Sequence, residues 1–82
     1  MYSDGQGVAR DDAQAVAWFR KVADQGISDG QYRLANMYRD GRGVVRDDAE
    51  AAVWYRKAAD QGNTLAANAL REMHEQGRDV AK

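Results

Sequence analysis

The chain has 82 residues, 44% of them hydrophobic and 30% charged, with a net charge of -1. That balance excludes a disordered polyelectrolyte, and no apolar run approaches the roughly 20 residues needed to span a bilayer, so membrane insertion is not expected. The 12 basic and 13 acidic residues are interspersed, which leaves no basic stripe for nucleic acid, and the absence of cysteine removes disulfides, thiolate metal sites and cysteine nucleophiles together.

Residues 1–8 read as the end of one helix and the loop after it. Met1 and Tyr2 correspond to Met37 and Tyr38 further on, so the chain is expected to begin partway through a repeat, and no secretion signal is visible within it. Gly5 and Gly7 suit a tight turn. Asp11, with Gln14 three residues later, has the capping-box pattern and predicts a helix over 12–25. Its apolar stripe, Ala15, Trp18, Phe19, Val22 and Ala23, follows the spacing of an amphipathic helix, and Gly26 supplies the stop.

A second helix is predicted over 28–40. Leu34, Met37 and Tyr38 form its inner face, Gly30 permits close approach, and Arg33 interrupts the stripe. Gly41 and Gly43 break it, and Val44 is placed to tuck between helices. A third helix over 48–61 starts at Asp47 with Glu50 as the capping partner. It carries Ala51, Trp54, Tyr55, Ala58 and Ala59 as its stripe and ends before Gly62. Asn63 or Thr64 caps a fourth helix over 64–76, with Ala66, Ala69, Leu70 and Met73 inside.

Gly5 and Gly41, Trp18 and Trp54, and Gly26 and Gly62 are each 36 residues apart, without insertion or deletion between the copies. A fixed period of this length marks a helical solenoid, and the mixture of large and small residues on the apolar faces suits tightly packed antiparallel helices. The predicted class is an all-α, α-α superhelix of about two repeats. It forms one domain, with a partial first unit over 1–26, a second over 27–62 and a partial third over 63–82.

The motifs resemble the Sel1-like repeats, relatives of the tetratricopeptide repeats. The residues carrying the resemblance are Gln31-Tyr32-Arg33-Leu34-Ala35-Asn36-Met37-Tyr38, Gly41-Arg42-Gly43-Val44, Asp47, Ala51, Trp54-Tyr55-Arg56-Lys57-Ala58-Ala59 and Gln61-Gly62. The first copy matches from Met1 to Gly26, with Phe19 in place of tyrosine and Val22 in place of alanine. Gly30 stands where the family has alanine, Ala35 where it has glycine, and Ala9 and Val45 where proline is common. Asn68, Arg71 and His74 replace tyrosine, glycine and tyrosine in a weaker third copy. The resemblance implies an adaptor that arranges partner proteins, often in bacterial signalling, secretion or host contact. It brings no catalytic residues and no cofactor.

Other readings of the same motifs are weaker. The Gly-x-Gly loops lack the preceding strand and the lysine of a phosphate-binding loop, and the paired aspartates after them would repel a phosphate. Asp4, Asp11 and Asp12, or Asp40, Asp47 and Asp48, lack the ligand spacing of a calcium loop and read better as helix caps. His74, the single histidine, has no second imidazole or cysteine for a zinc site. Trp18, Trp54, Phe19 and Tyr55 could stack on a ligand, but their helical spacing predicts core.

Taking Leu34 as the centre of the second helix's buried face places Asp29, Tyr32, Asn36 and Arg39 on the opposite face. The corresponding positions on the fourth helix include Asn68, Glu72 and Glu75. These seven are the candidate partner-binding residues, on the face that forms a concave groove in solenoids. Gly5, Gly7, Trp18, Gly26, Leu34, Gly41, Gly43, Trp54, Tyr55 and Gly62 are assigned structural tasks. The expected function is a non-enzymatic scaffold for a protein or peptide partner. The alternative is self-assembly into homo-oligomers, head-to-tail or by helix exchange, through end helices whose exposed faces would be complementary. A small hydrolase is a third and weaker reading.

Overall fold

A computed structural model of the chain describes residues 5–77, with side chains described from residue 12 onward. It contains four helices and, among the described residues, no strand: α1 (Gly5–Asp24), α2 (Ser28–Asp40), α3 (Asp48–Asp60) and α4 (Thr64–Gln76). Each helix packs on the next in sequence, so α2 and α3 have neighbours on both sides while α1 and α4 form the two ends.

The bounds of α2, α3 and α4 agree with the sequence reading to within one residue, because local chemistry sets them. Asp47 accepts from the Glu50 amide at 3.0 Å, and Asn63 accepts from the Ala66 amide at 2.9 Å, each satisfying a first-turn donor. At the other ends the chain turns through left-handed glycines, Gly41 with φ 68° and Gly77 with φ 68°. Gly26 and Gly62 also have positive φ.

The start of α1 differs from expectation. The helix begins at Gly5 rather than residue 12, so Gly5 and Gly7 lie inside it and Asp11 is not its cap. The second copy shows why. There the loop glycines are held from outside their own segment: Gly43 lies so close to α1 that an added Cβ would come within 2.5 Å of the Asp12 carbonyl oxygen. Arg42 pairs with Asp12 at 2.8 Å, and the Asp47 amide donates to the Tyr38 carbonyl at 2.9 Å. No described helix precedes α1 to supply equivalent contacts, and α-helical hydrogen bonding continues through the glycines instead.

Two clusters make up the core. Val16 and Ala23 of α1 meet Leu34 and Met37 of α2, with Phe19, Val44 and Trp54 packed around them. Ala35 of α2 meets Ala51, Tyr55 and Ala58 of α3 and Ala66, Ala69 and Met73 of α4. Trp54 and Tyr38 touch both clusters and join them.

One buried polar side chain ties three segments together. Gln31 donates from Nε2 to the Ala23 carbonyl at 3.3 Å and accepts from Gln61 Nε2 at 3.0 Å, while being only 5% exposed. Gln31→Ala is expected to cost about 1–3 kcal/mol in urea unfolding, since it removes two hydrogen bonds, to the Ala23 carbonyl, which keeps the Gly26 amide, and from Gln61. A loss below about 0.5 kcal/mol would show that the network adds nothing.

Candidate functional site

The position of each candidate residue follows from which helices flank its own. Tyr32, Asn36 and Arg39, expected on an open face of α2, are half-buried because α3 packs there. They gather around Tyr55, which is fully buried. The Tyr32 and Tyr55 rings lie 5.9 Å apart at an interplanar angle of 50°, the Tyr55 hydroxyl donates to Asn36 Oδ1, and the Arg39 guanidinium sits 6.0 Å from the Tyr55 ring centroid. A one-stripe description of α2 fails because this helix is packed on two sides.

Burial works against the charge of Arg39, but its hydrogen bond to Asp40 and the nearby Tyr55 and Tyr32 outweigh it and hold the pKa above the ordinary arginine value. The pKa of Arg42 is raised as well, chiefly by its hydrogen bond to Asp12.

The remaining candidates are more open. Asp29, in the first turn of α2, pairs with Arg33 at 3.0 Å, and both side chains are more than half exposed. Asn68, Glu72 and Glu75 are exposed on α4, where Asn68 accepts from Arg71 at 3.2 Å. No described helix follows α4, so the face that on α2 receives Tyr55 is open on α4.

The structural assignments divide between the two copies. Leu34 and Tyr55 are fully buried and Trp54 is half-buried. Trp18, expected in the core, is 61% exposed. Trp54 is covered because α3 lies against α2, whereas α1 has no described neighbour on that side. The buried stripe of α1 is accordingly rotated to Val16 and Ala23, the residues facing α2.

The acidic loop residues have structural partners. Asp12 pairs with Arg42, Asp40 with Arg39, and Asp48 with Arg46 at 3.0 Å, while Asp47 caps α3. Asp4 lies outside the described residues. Among the described residues no group of three or more histidine, cysteine or acidic side chains is placed to hold a metal. His74 is exposed in the last turn of α4.

Between α1 and α2 lies an open cleft of about 320 Å³. Its apolar floor is Ala15, Phe19 and Met37, and its rim carries Asp12, Arg33, Asn36 and Arg42. Asn36 is the one sequence candidate it contains. In the sequence Arg33 shows only as an interruption of a stripe, and Arg42 only as a loop residue. Their convergence depends on the Asp12 to Arg42 contact across thirty positions of sequence. The equal spacing of Asp12 and Asp48 carries no signal of that pairing.

The fold is thus a stack of helix pairs with a repeated core, turn and capping scheme, which defines an all-α helical-repeat protein of the superhelical class. The Sel1 repeat family model matches residues 1–27 and 28–63, and the chain belongs to that family. Among curated proteins no relative matched. Repeats of this family generally mediate protein-protein interaction and are typically non-enzymatic. None of the described helices is long and apolar enough to cross a membrane.

The two end faces of the stack differ in chemistry. The open face of α4 carries Asn68, Arg71, Glu72, His74 and Glu75, all exposed, in the places where α2 has Tyr32, Ala35, Asn36, Tyr38 and Arg39. Ala35 is fully buried against α3. An arginine at its counterpart would have to be desolvated for a second copy of α1 to stack there, which is a cost to head-to-tail stacking.

Proposed function

We propose that the chain is a non-enzymatic interaction module that holds a peptide or protein segment along the α1–α2 cleft and the polar strip of α4. The observation that carries this reading is the cleft itself, an apolar floor of Phe19 and Met37 rimmed by two arginines, an aspartate and an asparagine. Such a surface suits a segment with an apolar side chain for the floor and an acidic group for Arg33 and Arg42. Asn36 is anchored by Tyr55, and Tyr32, Arg39 and Asp29 extend the same helix. Glu72 and Glu75, with Asn68, favour a basic group where the segment reaches α4. The chain forms one domain in this reading, in which α4 continues the stack beyond residue 63.

A random peptide display library screened against the full chain tests this. Selected peptides should be enriched in acidic residues beside an apolar one. Their affinity should fall about 10-fold or more with Arg33→Glu, a substitution at an exposed position that leaves the far-UV spectrum unchanged. The Glu72→Lys, Glu75→Lys double variant should weaken those peptides that carry a basic end. Binders indifferent to both sets of substitutions, or no binders at all, would remove this surface from consideration.

A further inference from the structure

The groove between α3 and α4 differs from the matching place in the first copy. It has a volume of about 480 Å³, a floor of Ala49, Ala52 and Val53 from α3 with Leu70 from α4, and Arg56, Lys57 and Asp60 beyond that floor. In the first copy the inner positions are closed: Val16, counterpart of Ala52, is 6% exposed, and Leu34, counterpart of Leu70, is fully buried. Trp54 and Val44 pack against that cluster. Ala52 and Leu70 are only half-buried, and Val53 is 47% exposed. The arginines differ in the same sense. Arg20 donates to the Tyr38 hydroxyl, and its guanidinium lies 5.8 Å from that ring centroid. His74 stands at the place of Tyr38, and among the described residues Arg56 has no hydrogen bond or ion pair. The outer half of the groove is not a seat for a packed helix, because Ala17 and Lys21, counterparts of Val53 and Lys57, stay exposed although α3 follows α2.

We infer that the α3–α4 groove docks a partner segment carrying an aromatic side chain, then an acidic one, then a basic one. Ala49 and Asp60 lie eleven residues apart on α3, so the groove is about 16 Å long and takes a stretch of chain rather than a compact ligand. A ring belongs over Ala52, Val53 and Leu70, where alanine replaces Val16 and, among the described residues, nothing takes the place that Trp54 has in the first cluster. The acidic group meets Arg56 and Lys57 one turn further along α3, and the basic group meets Asp60 a turn beyond. An extended chain advances about 6.6 Å per two residues, close to the helical pitch of about 5.4 Å, so the pattern Trp-x-Asp-x-Lys matches the groove in one direction only. The groove shares no lining residue with the α1–α2 cleft and contains none of the seven sequence candidates, so the two surfaces are independent.

Titration of the full chain with the blocked peptide Gly-Trp-Gly-Asp-Gly-Lys-Gly, followed through backbone amide shifts, tests this. Saturable binding below about 1 mM is expected, with the largest shifts over residues 49–60 and around Leu70. Exchanging the aspartate and lysine of the peptide, or replacing its tryptophan by alanine, should weaken binding about 5-fold or more. Arg56→Glu and Val53→Asp, both at exposed positions, should do the same with the far-UV spectrum unchanged, while Arg33→Glu in the α1–α2 cleft should have no effect. Shifts centred on residues 12–19 and 33–42, or equal binding of the exchanged peptide, would overturn the assignment. So would a loss with Arg33→Glu that Arg56→Glu does not produce, or the absence of saturable binding.

Discussion

Gly30→Ala lowers the melting temperature, although alanine is the better helix former by about 1 kcal/mol in a helix interior. Gly30 lies in the first turn of α2 and is buried where that helix crosses α1. A Cβ built there falls 2.8 Å from Val22 Cβ and 3.0 Å from the Ala23 backbone nitrogen. Neither atom belongs to the end of a flexible side chain, so relief requires the two helices to separate. Overpacking of this kind typically costs 1–3 kcal/mol, with the more severe cases higher. Set against the propensity gain, a contact this close leaves a net loss of up to about 2 kcal/mol, or a fall of up to about 15 °C for a domain of this size.

The second copy supplies the compensating change. At the places of Val22 and Gly30 it has Ala58 and Ala66, both fully buried, so the methyl groups are divided differently across an equivalent helix crossing. Val22→Ala in the Gly30→Ala background should therefore recover most of the loss. Val22→Ala alone should cost about 1 kcal/mol through the space it leaves. A double-mutant cycle in urea measures the coupling, which is expected to exceed about 1 kcal/mol. Strictly additive single changes would show that the two residues do not share that space.

The two tryptophans at equivalent repeat positions should respond unequally. Trp54→Ala removes one of the two side chains that join the core clusters and is expected to cost roughly 2–4 kcal/mol, less than for a wholly buried tryptophan because part of the ring faces solvent. Lys57 also lies 5.5 Å from that ring. Trp54→Phe should be milder, since the buried Nε1–H of Trp54 has no hydrogen-bond partner and its removal relieves an unpaired donor. Trp18→Ala, at a 61% exposed position, should change stability by no more than about 0.5 kcal/mol. Matched urea denaturation of the three variants is the measurement. Comparable losses for Trp18→Ala and Trp54→Ala would mean that Trp18 is covered in solution.

Helical periodicity around Leu34 places the seven candidate partner residues on one face but carries no information about which helices cover it. Tyr32, Asn36 and Arg39 turned out to hold Tyr55, while Asn68, Glu72 and Glu75 are open on α4. The cleft between α1 and α2 was not legible, because Arg33, Arg42 and Asp12 look like solvated charges until the turn through Gly41 and Gly43 brings the loop against α1.

The sequence by itself determined the repeat period, the family, the all-α class and the bounds of α2, α3 and α4. Those features depend on capping side chains, left-handed glycines and apolar spacing, all acting within a few residues of one another. Only the tertiary structure decided which copy of a repeated motif is buried. Trp18 and Trp54, or Gly7 and Gly43, occupy identical places in the repeat, yet one of each pair is covered or turned and the other is not. Burial and loop geometry depend on the helix packed from outside, and in a stack the end helices have one neighbour where the inner helices have two.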